Sequence, residues 1–148
     1  MDYSSIDILL VEDNVDDAEL AMRELKKNKL TSNLFHVKDG EEALDFIYGN
    51  GQYAGSRSTQ NLPKVILLDI QMPKVNGIEV LEKIKGDRQT NIIPVVILTS
   101  SNESPDIKKC YRLGVNSYIV KPVNFEGYSH AIKELGLYWL LLNRPPEI

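Results

Sequence analysis

Short apolar runs recur along the chain at 6–11 (IDILLV), 33–37 (NLFHV), 64–68 (KVILL), 94–98 (PVVIL) and 117–120 (SYIV). Three of them are nearly continuous rather than alternating, the pattern of strands buried on both faces. Between the runs the period lengthens to that of a helix. Ala18, Ala21, Met22 and Leu25 fall at i, i+3, i+4 and i+7, and Gly77, Val80, Leu81 and Ile84 repeat the spacing. Asn14 ahead of Asp17 reads as a helix cap with acidic residues in the first turn. Pro105 near the start of a fourth helix and Gly114 just past its end follow the proline-in, glycine-out asymmetry. A strand–helix pair repeated five times predicts an α/β fold, a parallel five-stranded sheet covered by helices on both faces.

Two segments depart from this rhythm. Residues 49–62 (GNGQYAGSRSTQNL) are rich in Gly, Ser, Asn and Gln. They make a long connection where about 2–6 residues are usual, either a binding loop or a tolerated mobile insertion. In the last helix, about 124–142, Phe125, Tyr128, Ile132, Leu135, Trp139 and Leu142 form a core-facing stripe. From Leu135 onward that helix is apolar almost all round, so a face is left over for a partner or a second copy.

Composition narrows the class. A chain of 148 residues fits one domain, expected to fill 1–148 from strand 1 at about 6–11 to the last helix, with no output domain. The formal charge of −4 argues against direct nucleic-acid binding, which normally shows as a basic excess. Cys110 is the single cysteine, which excludes an internal disulfide and a multi-cysteine metal site. Its place on the fourth helix suggests a small buried apolar residue. No signal peptide and no membrane span are legible, so a cytoplasmic location is expected.

Ligands of open α/β sheets collect at the carboxyl ends of the strands. There the sequence places Glu12-Asp13, Asp69, Thr99-Ser100-Ser101 and Lys121-Pro122. Each taken alone has a plainer role, as a helix cap, a strand residue or a solvated turn. Together, three carboxylates on one edge repel unless a cation sits among them. All-oxygen donors suit Mg2+ or Mn2+ rather than zinc. A Lys ammonium and a Thr hydroxyl opposite are what a phosphoryl group needs for its remaining oxygens.

The motifs ILLVEDN (8–14), LLDIQMPKVNG (67–77), VVILTSS (95–101) and GVNSYIVKP (114–122) resemble the response-regulator receiver domains of the CheY-like superfamily. The resemblance covers essentially the whole chain. It implies the flavodoxin-like strand order 2-1-3-4-5. It also implies that Asp69 is the phospho-acceptor and that Asp13 is a direct Mg2+ ligand, with Glu12 acting through water. The backbone carbonyl of Gln71 would complete the shell. Lys121 would pair with the phosphoryl group, followed by a cis peptide to Pro122. Thr99 and Tyr118 would be the switch residues. Gln71 and Ser100 stand at variable positions beside the path of attacking water and phosphodonor, where they would modulate the lifetime of the phosphorylated state.

The long loop and the aromatic, leucine-rich C-terminus further resemble stand-alone regulators paired with phytochrome-type histidine kinases. That implies a sensor histidine kinase as donor, an unidentified downstream protein as target, and a homodimer through the helix 5 region. The competing reading is a Mg2+-dependent phosphohydrolase similar to haloacid dehalogenases. It is disfavoured because such enzymes place an acid/base Asp two residues after the nucleophile, where this chain has Gln71. A dinucleotide-binding fold is excluded by the lack of G-x-G-x-x-G after the first strand, and the P-loop motif is also missing.

Overall fold

Every apolar run becomes a strand. The computed structural model describes residues 6–27, 33–72 and 74–144; the remainder of the expected 1–148 span, including Pro73 of the third motif, lies outside the described residues. In chain order the elements are β1 (Ile8–Val11), α1 (Val15–Lys27), β2 (Leu34–Val37), α2 (Gly40–Tyr48), β3 (Val65–Leu68) and α3 (Gly77–Lys85). They continue with β4 (Val95–Thr99), α4 (Ser104–Leu113), β5 (Ser117–Val120) and α5 (Phe125–Gly136). The sheet is parallel with order β2-β1-β3-β4-β5, as the resemblance implied.

The near-continuous runs are explained by two cores. On β1, β3 and β4, Leu9, Val11, Ile66, Leu68, Val95 and Ile97 join one apolar cluster, which includes Phe46 of α2, Leu81 of α3 and Cys110 of α4. Their neighbours Ile8, Leu10, Val65, Leu67, Val96 and Leu98 join the other, with Ala21 of α1 and Ile132 of α5. Because strand side chains alternate faces, a strand buried on both sides has no polar position to spare. β5 lies at an edge of the sheet and is only partly buried.

Local chemistry sets the helix starts. Asn14 Oδ1 accepts from the Asp17 N–H at 3.0 Å, the cap read from the sequence. Asp39 caps α2, and Asn76 with Glu79 forms a full capping box on α3. α4 carries Pro105 in its first turn and ends at Gly114, with φ of 100°.

Both unusual segments differ from the simple expectation. Residues 49–62 fold back on the protein. A 3-10 turn over Gly51–Tyr53 buries Tyr53, whose ring meets Phe46 and Phe35 edge-on at 5.1 and 5.9 Å. Arg57 lies over the Phe46 ring at 4.4 Å and donates from Nε to the Phe46 carbonyl at 3.1 Å. Aromatic stacking and a cation over a ring give the insertion a fixed seat.

In the last helix only the middle of the stripe faces inward. Tyr128, Ile132, Leu135 and Trp139 are buried, whereas Phe125 is 64% exposed and Leu142 is 71% exposed. Phe125 is the first helical residue after the Asn124 cap. After Gly136 the chain widens into a π-helix over Leu137–Leu142, and the wider turn rotates later side chains off the 3.6-residue face.

Candidate functional site

The end of β1 delivers the acidic pair. The Glu12 N–H donates to the Val37 carbonyl at 3.1 Å, and the Glu12 carbonyl meets His36 Nε2 at 2.7 Å. These bonds tie the β1–α1 turn to β2 and fix its direction. Glu12 is buried at 2% exposure and its Oε2 accepts from the Asn14 N–H at 3.2 Å, while Asp13 stands exposed at the rim.

One strand over, the Asp69 N–H donates to the Val11 carbonyl at 3.1 Å, extending the β1–β3 ladder by one residue. α3 starts hard against this point. A methyl group at Gly77 would stand 2.0 Å from the Asp69 carbonyl oxygen, so only glycine lets the helix approach. Glu12, Asp13 and Asp69 thereby place one carboxylate oxygen each within 4.8 Å of one another. The Gln71 N–H donates to Asp69 Oδ1 at 3.4 Å while its side chain is exposed.

Lys121 closes the site from the β5 side. Its N–H donates to the Thr99 carbonyl at 2.7 Å. Its ammonium lies 2.5 Å from Glu12 Oε1, 2.9 Å from Asp17 Oδ2 and 3.7 Å from Asp69 Oδ2. Burial pushes the Glu12 carboxyl up to about 8 despite the Lys121 bond, and the Asp69 charge adds to the rise. Burial works against the Lys121 ammonium, but the bonds from Asp17 and Glu12 and the charges of Glu12 and Asp69 outweigh it and hold the lysine well above its usual value.

The remaining predicted residues lie beside this centre. Thr99 is fully buried at the end of β4, and its Oγ1 accepts from the Ser101 N–H at 3.4 Å. Tyr118 is half-buried and its hydroxyl donates to the Ser101 carbonyl at 2.9 Å. Thr99 and Tyr118 therefore grip the two ends of one residue. Ser100 is exposed and lines a groove together with Asp17 and Lys121. One expectation is corrected: there is no cis peptide among the described residues, so the Lys121–Pro122 bond is trans. Trans is the isomer an X–Pro amide favours by about 0.5–1 kcal/mol without a tertiary constraint.

Two contributors escaped the sequence reading as parts of the site: Asp17 and His36. Asp17 was legible only as a first-turn acid, although it lies one helical turn beyond Asp13, on the side that faces Lys121. His36 sits on an edge strand with no motif around it. Both act through contacts across elements, which spacing does not encode.

The donor set fits a hard divalent cation. All three side chains are carboxylates, and among the described residues no imidazole or thiolate joins the cluster. A parallel sheet ending in such a cluster, with a lysine opposite, is the arrangement expected of a receiver domain. The chain belongs to the response regulator receiver domain family, which matches residues 8–133.

Among its relatives is the probable methanogenesis regulatory protein FilR2 of Methanothrix harundinacea, 42% identical over 139 residues that cover 94% of this chain and 86% of FilR2. The crystal structure of the phosphorylated cyanobacterial phytochrome response regulator RcpA matches with a TM-score of 0.88 at 36% identity, covering 97% of this chain and 99% of RcpA. The Mn2+-bound form of response regulator Rcp1, a Synechocystis protein, matches with a TM-score of 0.87 at 35% identity, covering 95% and 98%. The chain is thus a two-component response-regulator receiver, and not an enzyme of the dehalogenase kind. No helix among the described residues is long and apolar enough to cross a membrane.

Proposed function

We propose that this chain is a phosphorylatable switch in which Asp69 accepts a phosphoryl group from a sensor histidine kinase, with a phytochrome-type kinase the favoured donor. The observation that carries the reading is the convergence of Glu12, Asp13 and Asp69 on one side and the Lys121 ammonium on the other. A carboxylate oxygen of Asp69 attacks phosphorus, the P–N bond to the donor imidazole breaks, and its electron pair leaves with the nitrogen. Asp13, Asp69 and the Gln71 carbonyl would hold Mg2+ or Mn2+, with Glu12 acting through water. A cation held there would supply positive charge against the donor's oxygens. Lys121 supplies the opposite positive charge from the chain itself.

The acyl phosphate adds about −1.5 to −2 charge at Asp69. Thr99 is drawn toward the new oxygens and releases the Ser101 N–H. Tyr118, which holds the other end of Ser101, shifts with it. The face made by α4, β5 and α5 is remodelled and engages a downstream protein. Gln71 and Ser100 set how easily water and donor reach the site. In this reading the receiver works in the cytoplasm, where a histidine kinase would present its phosphoryl group. It pairs with a second copy through the exposed Tyr138, Leu141 and Leu142 after α5.

Incubation with Mg2+ and a small acyl-phosphate donor tests the mechanism. Label is expected on Asp69 alone, lost in Asp69→Ala and suppressed by chelation. Label retained by a folded Asp69→Ala protein would overturn it.

A further inference from the structure

We propose that Asp17 is a positioning residue for phosphoryl transfer: it orients the Lys121 ammonium so that one N–H is left pointing at Asp69. This inference rests on Asp69 being the acceptor. An ammonium has three donors and no acceptor. Here two of them are taken, by Glu12 Oε1 at 2.5 Å and Asp17 Oδ2 at 2.9 Å. Asp69 Oδ2 lies 3.7 Å from the same nitrogen, too far for a hydrogen bond. A phosphoryl oxygen stands two bonds further out from that carboxylate. It therefore comes within reach of the third N–H without the lysine moving.

Glu12 alone cannot fix this direction, because a four-carbon stem held at one donor still swings about that bond. Asp17 is itself held for the task. Its N–H is bound by Asn14 Oδ1 at 3.0 Å, and its carbonyl accepts from the hydroxyl of buried Tyr128 at 3.3 Å. It lines a 520 Å3 groove between α1 and α5 together with Lys121 and Tyr128. Asp17 is therefore the second fixed point of a two-point mount. A lysine so mounted is pre-organised, and transfer incurs no reorganisation of its charge.

The test is a double-mutant cycle on the full chain at saturating Mg2+, reading the initial rate of labelling by acetyl phosphate and the affinity for beryllium fluoride as a phosphoryl mimic. Asp17→Ala is expected to lower both by roughly tenfold, the effect of losing one charge-assisted bond. Asp17→Asn, which keeps an oxygen acceptor, should recover part of the loss. In a Lys121→Ala background, Asp17→Ala should change neither quantity by more than about twofold, because its partner is already gone. An equal loss in that background would mean that Asp17 acts on the helix start or the fold, and would overturn the proposal. Faster labelling by Asp17→Ala would also overturn it, because Asp17 would then be competing for the lysine. Absence of label on Asp69 in the parent protein would instead remove the acceptor assignment itself.

Discussion

At the scale of single residues, the site is a negotiation over charge. Glu12 is buried beside a second carboxylate, so its proton is held up to about 8 instead of leaving near the usual 4.5. A folded pKa above the unfolded one stabilises the metal-free fold fully below the unfolded value, and that stability is lost as pH rises through 8. Cation binding runs the other way, since it needs the carboxylate. The apparent Mg2+ dissociation constant should therefore rise by up to about tenfold per pH unit as pH falls from 8 to 6. Calorimetric titration across that range checks it, and Glu12→Gln should flatten the slope. Cys110 has the opposite character. Burial pushes its thiol up to about 11, which suits an inert core residue and agrees with the sequence reading.

Elements place these residues, and some of their work was legible beforehand. The capping signals at Asn14 and Gly114 are read from local chemistry and recur in the structure, because a cap depends on neighbours within one turn. The 49–62 connection was not legible in this way. Its composition is that of a free surface loop, yet Tyr53 and Arg57 clamp it to Phe46 of α2. The decisive partners lie on other elements, and no periodicity announces them. Tyr53→Ala should cost about 3 kcal/mol of unfolding free energy, as for other buried aromatic truncations, measured by urea denaturation. Labelling of Asp69 should be unaffected, since the clamp's contacts run to Phe35, Phe46 and Glu42. A loss of labelling in the still-folded variant would connect the insertion to the site after all.

At the scale of the whole molecule, the unabsorbed feature is the C-terminal turn. Trp139 is buried against the α1–α5 core, so truncating it would test the fold and not an interface. Leu142 is the better probe because it is 71% exposed. Leu142→Glu is expected to shift the protein toward monomer in sedimentation velocity while leaving its thermal midpoint close to the parent's. An unchanged oligomeric state would move the interface away from this turn. The same turn explains why a stripe counted at helical spacing overshoots: the sequence period assumes a constant helix, and the π-helix breaks it.

The amino-acid sequence by itself determined the alternation of strands and helices along the chain, the burial of both sheet faces and which polar residues stand at the strand ends. These follow from alternation, from caps and from carboxylates at the strand ends, all properties of residues near one another in the chain. Only the tertiary structure decided that the insertion is seated, that the stripe loses its ends and that Lys121 is shared among Glu12, Asp17 and Asp69. The shared lysine, just past β5, joins residues just past β1 and β3 and one on α1. Coulomb attraction and burial act through space, and their outcome exists only once the sheet has brought those ends together.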